Sequence, residues 1–185
     1  MKKTPRANRL HIAVFGRRNV GKSSLINALT EQQLALVSEV AGTTGDPVYK
    51  SMELIPFGPV VMIDTAGIDD EGQLGEMRVK KTKEVMRRTD LALLVFDQEL
   101  GISEYENNLF QMMLERDIPV IPVINKNDLI AEQEEKLKND IKKLEKKFIA
   151  KNYDGFVSNP VLVSEKKGDK IDDLKEKIID KAHSD

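Results

Sequence analysis

Residues 16–23 give the first indication of what this chain can do. Their sequence, GRRNVGKS, fits the pattern G-x-x-x-x-G-K-[ST] at every fixed position. The pattern predicts a loop whose backbone N–H groups surround a phosphate group, with Gly16 and Gly21 allowing the close approach. Lys22 would bring a positive charge to the terminal phosphates, and Ser23 would offer a hydroxyl to Mg²⁺. These residue types at this spacing predict binding of a nucleoside triphosphate.

The loop must lie between a strand and a helix for this chemistry to work. The apolar run 10–15 precedes it, and a helical pattern over 22–31 follows it. The positive end of that helix would add to the field that attracts the phosphates. The residues expected to contact the nucleotide here are Gly16, Arg17, Arg18, Asn19, Val20, Gly21, Lys22, Ser23 and Ser24.

A second candidate is Asp64, which begins the run DTAG directly after the apolar strand 60–63. A carboxylate at the carboxyl end of a strand beside the phosphate loop can reach a bound Mg²⁺ through a water molecule. Gly67 can then bring its N–H against the γ-phosphate. Taken alone, the run is also typical of an ordinary turn at a strand end, but its place downstream of the loop favours the metal site.

The run NKND at 125–128 follows another buried strand and predicts that the base is guanine. Asp128 would accept two hydrogen bonds, from N1–H and from the exocyclic amine of guanine. Adenine offers neither donor, so the same carboxylate would be left unpaired against ATP. Asn125 would link this loop to the phosphate loop, and the aliphatic stem of Lys126 would cover the base.

Two further segments complete the predicted site. Ser164, Glu165 and Lys166 follow the last strand and resemble the S-A-K element that closes a guanine site through backbone N–H groups; a charged surface turn over 165–169 is the alternative. Thr44 is placed to complete the Mg²⁺ shell once the γ-phosphate is present. Its segment, 40–47, is polar and glycine-rich, which is typical of a switch loop that the ligand orders; a plain loop is the alternative.

The composition limits the other functions. A chain of 185 residues can bury one good core, and its 29 basic and 31 acidic residues give a net charge of −2, which offers no argument for binding DNA. Without cysteine it cannot hold an iron–sulfur cluster through thiolates, and it fits a reducing, cytoplasmic setting. The apolar stretches are strand-sized, which predicts no membrane helix. The basic segment 1–9 is interpreted as a short flexible arm rather than an export signal.

The elements that must position these residues alternate between strand and helix along the chain. This alternation predicts an α/β fold, with a mostly parallel six-stranded sheet and helices on both faces, in a single domain over 1–185. The turn at 56–59 predicts a hairpin that puts one antiparallel strand at the sheet edge. The predicted strands are 10–15, 48–55, 59–64, 91–96, 118–124 and 160–163, and the predicted helices are 22–31, 76–88, 104–116, 129–151 and 171–183.

The charged helix at 129–151 allows two interpretations. An apolar side chain recurs at helical spacing, which predicts a surface helix with one buried stripe. The alternative is that its outer face is a basic docking surface. The stripe consists of Leu137, Ile141, Leu144 and Phe148.

The four motifs, in this order, make the chain resemble a Ras-like G domain. Asn19, the run AGTT at 41–44 and the lack of a glutamine after DTAG are similar to the potassium-activated bacterial GTPases of the Era and tRNA-modification type. Most of those carry TTRD after the glycine, whereas this chain has TTGDP at 43–47. Together with ELIPFGPVV at 53–61 and GQLGEMRVKKT at 72–82, that departure resembles the maturation GTPase of the iron-only (FeFe) hydrogenase, over essentially the whole chain.

The resemblance implies Mg²⁺-dependent binding of GTP and GDP with slow hydrolysis. Asn19 would offer its amide oxygen to a potassium ion that bridges the phosphates, where other GTPases place an arginine. Ile68 cannot orient the attacking water through a side-chain amide, so Thr44, backbone groups or a partner must do so. The roles carried over are Lys22, Thr44 and Gly67 for catalysis, Ser23, Thr44 and Asp64 for Mg²⁺, Asn19 for potassium, and Asn125, Lys126 and Asp128 for guanine.

The resemblance implies a scaffold protein with three domains: a G domain, a dimerisation domain and a cluster-binding domain that carries cysteines. This chain resembles the G domain. The implied partners are GTP, the other domains of the scaffold, and the hydrogenase or its maturation enzymes. A homodimer is a further alternative. Two other functions remain. One is a GTP/GDP-dependent interaction module whose own hydrolysis is negligible, and the other is a ribosome-assembly or tRNA-modification GTPase.

Overall fold

The computed structural model describes residues 9–17, 20–31, 36–40, 46–69, 75–97, 101–126, 131–149, 160–164 and 169–183. The strands in these ranges are β1 (Leu10–Gly16), β2 (Leu36–Val40), β3 (Val48–Leu54), β4 (Gly58–Asp64), β5 (Leu91–Asp97), β6 (Val120–Lys126) and β7 (Val161–Ser164). The helices are α1 (Lys22–Glu31), α2 (Gly75–Arg87), α3 (Glu104–Glu115), α4 (Ala131–Ile149) and α5 (Asp169–His183), with a short 3-10 turn at Ala66–Asp69. The basic arm predicted at 1–9 falls outside the described residues except for Arg9.

The strands form one sheet in the order β2-β3-β4-β1-β5-β6-β7. Strands β4, β1, β5, β6 and β7 are mutually parallel, and β3 is antiparallel to both of its neighbours. Only β3 therefore runs against the other strands of this sheet. The predicted α/β class, with a mostly parallel sheet and one reversed strand, is confirmed.

Strand β2 was not predicted, so the described part of the chain holds seven strands rather than six. It is five residues long and pairs with β3 at the sheet edge, with a register irregularity between Leu36 and Ser38. A short edge strand carries little hydrophobic alternation and depends on its partner for stability, so its own residues give a weak signal. The predicted hairpin is present, with Leu54 opposite Gly58. However, β3 lies one position inside the sheet rather than at its edge.

Helices cover both faces of the sheet. On β1, Ile12 and Val14 belong to one hydrophobic core and Ala13 and Phe15 to the other, because successive side chains of a strand point to opposite faces. Helices α1 and α5 contribute to the first core, and α2, α3 and α4 contribute to the second. In open sheets of this kind, ligands bind beyond the carboxyl ends of the strands. Gly16, Asp64 and Asn125, at the carboxyl ends of β1, β4 and β6, lie at that edge.

Helix α4 has the buried stripe that its sequence predicted. Leu137, Ile141 and Leu144 are at most 8% exposed and lie in the second core. The side chain of Phe148 lies outside the described residues. No helix in the described ranges is long and apolar enough to span a lipid bilayer.

Candidate functional site

The phosphate loop starts where β1 ends, and Gly16 is fixed there by close packing. A Cβ atom at this position would lie 2.8 Å from the carbonyl oxygen of Val95 and 2.8 Å from the side chain of Val20. Such distances are far inside van der Waals contact, so only glycine lets the backbone pass between β5 and the loop. Gly21, at the other end of the loop, has a φ of 94°, which also favours glycine. Both pattern glycines are thus required by the backbone itself.

Lys22 opens helix α1, and its side chain is only 4% exposed. Its ammonium group donates to the carbonyl oxygen of Gly16 and, over 3.3 Å, to that of Arg17. A buried ammonium is costly unless it is hydrogen-bonded, and these two carbonyls lower that cost. They hold the positive charge beneath the start of the loop.

Ser23 and Asp64 come together at the carboxyl edge of the sheet. The Ser23 hydroxyl donates to Oδ2 of Asp64 over 3.1 Å, and the N–H of Ala66 donates to Oδ1 over 3.0 Å. The pairing of Val14 with Asp64 in adjacent parallel strands sets this proximity. A hydroxyl and a carboxylate are hard oxygen ligands of the kind that Mg²⁺ prefers, so the residues present fit that ion.

The turn after β4 is held against its surroundings at two points. The Thr65 hydroxyl donates to the carbonyl oxygen of Val14 over 2.6 Å. A Cβ atom on Gly67 would lie 2.6 Å from the carbonyl oxygen of Asp46, so this approach also requires glycine. Ile68 is 2% exposed and belongs to the second core, so its side chain faces the protein interior.

Asn125 links the end of β6 to the phosphate loop. Its side-chain amide donates to the carbonyl oxygen of Val20 over 2.9 Å, across 105 positions of sequence. This hydrogen bond is the link that the sequence led us to expect between the two loops. It ties the end of β6 to the loop that precedes α1.

The segment before β3 also contacts α2. The carboxylate of Asp46 pairs with the ammonium of Lys81 over 3.2 Å, and a cleft of about 620 Å³ opens beside them. The guanidinium carbon of Arg88 lies 5.7 Å from the centre of the Tyr49 ring in the same cleft. Asp46 therefore contacts both the turn that contains Gly67 and the helix that follows it.

An ion pair between the half-buried Arg17 and the buried Glu106 was not predicted. The guanidinium of Arg17 donates through Nε to Glu106 Oε1 and, over 2.6 Å, to the carbonyl oxygen of Gly101. The S-x-x-E spacing from Ser103 to Glu106 is a capping-box signal, and it does locate the start of α3. Nothing in the sequence connects Glu106 with a loop residue 89 positions away.

The other predicted site residues lie at the ends of elements or outside the described ranges. The side chains of Lys126 and Ser164, each the last residue of a strand, are not described, while Ser24 is exposed in the first turn of α1. The residues that lie wholly outside the described ranges are Arg18, Asn19, Thr44, Asp128, Glu165 and Lys166.

Comparison with known proteins identifies this type of domain. Residues 11–126, more than half of the chain, match the family described as 50S ribosome-binding GTPase. The chain is 35% identical over 174 residues to GTPase Der of Wolinella succinogenes, covering 92% of this chain and 35% of that protein. It is 35% identical over 170 residues to tRNA modification GTPase MnmE of Moorella thermoacetica, covering 91% of this chain and 34% of that protein. It thus spans about a third of the length of these relatives.

The solved structures agree with the sequence relatives. The crystal structure of a point variant of Era from Aquifex aeolicus, bound to GDP·AlF4⁻, superimposes with a TM-score of 0.66 at 27% identity. The alignment covers 92% of this chain and 56% of that one. This chain belongs to the family of 50S ribosome-binding GTPases, in its Era, Der and MnmE group, and it is a Ras-like G domain of a GTPase.

Proposed function

We propose that this domain binds Mg²⁺ with GTP or GDP at the carboxyl edge of the sheet and hydrolyses GTP slowly. The observation that carries the proposal is the convergence of Lys22, Ser23 and Asp64. One buried ammonium and two hard oxygen ligands meet beside a glycine-bounded loop. That combination suits a Mg²⁺-bound polyphosphate, because it offers a cation and a metal site together.

In this proposal the triphosphate lies in the loop over 16–23. Lys22 pairs with the terminal phosphates, and the backbone N–H groups of the loop bind the β-phosphate. Ser23 and Asp64 would hold the Mg²⁺, and Thr44 would join them when GTP is bound. The ion, when bound, neutralises charge on the phosphate oxygens.

The loop after β6 selects guanine in this proposal. Asp128 accepts the two hydrogen bonds that only guanine offers, and Lys126 covers the base. The hydrogen bond from Asn125 to Val20 supports this proposal, because it joins the end of β6, from which the base loop would continue, to the phosphate loop. Ser164, Glu165 and Lys166 close the base site from the other side.

Hydrolysis is expected to be slow because the residue directly after the DTAG run has no side-chain amide to orient the attacking water. Ile68 occupies that position and is buried in the core. The N–H of Gly67, together with Thr44, then positions the γ-phosphate and the water. Asn19 provides the potassium ligand in this proposal, and a bound potassium ion supplies positive charge near the phosphates.

The protein that contains this domain is proposed to serve FeFe-hydrogenase maturation as a GTP-dependent switch in the cytoplasm. Support comes from TTGDP at 43–47 in place of the TTRD run, and from the segments 53–61 and 72–82. A role in ribosome assembly or tRNA modification is the second candidate, since relatives named GTPase Der and tRNA modification GTPase MnmE are 35% identical. A cysteine-bearing third domain in the parent protein would favour the first role.

Phosphate release under single-turnover conditions tests hydrolysis by the domain. We expect a rate below the usual enzyme range of roughly 1 to 1,000 per second, yet clearly above that of GTP in buffer. GTP bound with no phosphate released over hours would instead favour an interaction module that needs a partner. The Lys22→Ala protein provides the background for the assay.

A further inference from the structure

Glu106 is a buried carboxylate that the nucleotide roles described above leave unexplained. It lies in the first turn of α3 and is 1% exposed. Its Oε1 accepts from Nε of Arg17, and its Oε2 accepts from the N–H of Ser103 over 2.8 Å and from the Ser103 hydroxyl over 2.6 Å. A buried charge this well satisfied must have its partners in fixed positions, because losing any of them is costly.

The first turn of α3 also contacts the two residues that bind the ammonium group of Lys22. The ammonium of Lys22 rests on the carbonyl oxygens of Gly16 and Arg17. Arg17 is fixed by Glu106, and the hydroxyl of Tyr105 lies 3.5 Å from the Gly16 carbonyl oxygen. The first turn of α3 therefore contacts both residues whose carbonyls place the ammonium group.

The side chain of Arg17 points toward the start of α3. Its guanidinium contacts Glu106 and the carbonyl oxygen of Gly101, at the turn between β5 and α3. A guanidinium engaged by a carboxylate and a carbonyl has fewer donors left for a phosphate. Arg17 therefore helps to fix the shape of the loop.

We propose that Glu106 is a positioning residue for nucleotide binding, acting through Arg17 to fix the carbonyls that hold Lys22. This inference rests on the proposed phosphate role of the loop. It extends the functional site to α3, which none of the motifs includes. A substitution or a movement at the start of α3 would then alter the affinity of the domain for the nucleotide phosphates.

The test measures binding of Mg²⁺-GDP to the unmodified chain and to Glu106→Gln, Arg17→Gln and the double variant. Glutamine keeps the size of Glu106 and can accept from Ser103, so only the charged pair with Arg17 is removed. We expect each single variant to bind GDP about tenfold more weakly, as for loss of one charge-assisted hydrogen bond. The double variant should bind no more weakly than either single one, because both changes remove the same pair.

A purely structural role would give a different result. In that case Glu106→Gln would lower the thermal midpoint of the nucleotide-free chain and leave the GDP affinity of the folded fraction unchanged. Glu104→Gln is the matched control, since Glu104 is exposed in the same turn of α3, and it should bind like the unmodified chain. If Glu106→Gln fails to fold, Arg17→Lys replaces it, because it keeps the charge and loses the two-point contact; it should also bind about tenfold more weakly.

The same measurements distinguish failure of the proposed function from failure of the positioning role of Glu106. If the unmodified chain does not bind GDP, the proposed function is wrong and this inference is wrong with it. If the unmodified chain binds GDP and Glu106→Gln or Arg17→Lys binds equally well, only the positioning role is overturned. Additive losses in the double variant would also overturn it, because they would show that the two residues act independently.

Discussion

The Ser23 hydroxyl donates to the Asp64 carboxylate over 3.1 Å, although the two residues are 41 positions apart. Ser23 lies in the first turn of the helix after β1 and Asp64 ends β4, and the parallel pairing of those strands brings them together. Hydroxyl and carboxylate oxygens at this distance can bind one hard cation, directly or through water. The metal site of the proposed mechanism thus follows from the register of two neighbouring strands.

The first prediction concerns that metal site. Asp64→Asn keeps the shape of the side chain but removes the charge that faces Ser23. We expect the GTP complex to require at least about tenfold more Mg²⁺, because a carboxylate binds this ion far better than an amide does. A titration of Mg²⁺ against binding of a fluorescent GTP analogue measures this requirement. Asp173→Asn, on the exposed side of α5, should leave it unchanged.

Lys22→Ala should abolish tight binding of GTP. The β- and γ-phosphates would lose the cation that the loop provides besides Mg²⁺. The fold should survive, since Gly16 and Arg17 lose only the hydrogen bonds that they accept from the ammonium. Calorimetric titration and circular dichroism check the two halves of this prediction, with Lys83→Ala on the exposed face of α2 as control. Unfolding of Lys22→Ala would show that Lys22 is structural.

Gly67→Ala should separate hydrolysis from GDP binding. The added methyl group would lie 2.6 Å from the Asp46 carbonyl oxygen, so the turn must shift and its N–H would move away from the γ-phosphate. We expect hydrolysis to fall by about a hundredfold, as when one well-placed donor is lost, with GDP affinity nearly unchanged. Gly75→Ala is the matched control, because a Cβ atom there has no neighbour within 4 Å. Equal hydrolysis by Gly67→Ala and the unmodified chain would contradict the role of this turn.

Potassium should accelerate hydrolysis over sodium at equal ionic strength. Sodium is smaller, so it cannot contact Asn19 and the phosphate oxygens with the same bond lengths, and it would neutralise the developing charge less well. Gly45 departs from the TTRD run of the GTPases that the sequence resembles, and this prediction therefore tests the loop that precedes Asp46. Rates are compared in matched chloride salts. Identical rates in the two salts, with Asn19→Ala also unchanged, would show that the domain has no potassium site.

The sequence indicates where the candidate site residues lie because the motifs that carry them follow buried strands directly. The apolar runs before Gly16, Asp64 and Asn125 identify strands, and parallel strands place their carboxyl ends at one edge. The pair of Arg17 and Glu106 was missed because each residue has an ordinary local role, in a loop and in a helix cap. Only the tertiary fold brings them together. Strand β2 was missed for a related reason, since its pairing partner, rather than its own five residues, makes it a strand.

The most direct test of the proposal compares the affinities of the unmodified chain for GTP and ATP in the presence of Mg²⁺. We expect GTP to bind more tightly by about two orders of magnitude, because ATP would leave the Asp128 carboxylate unpaired at a cost of a few kcal/mol. Asp128→Asn should reduce that preference while leaving the phosphate loop intact. Equal affinity for GTP and ATP in the unmodified chain would contradict the proposed guanine site.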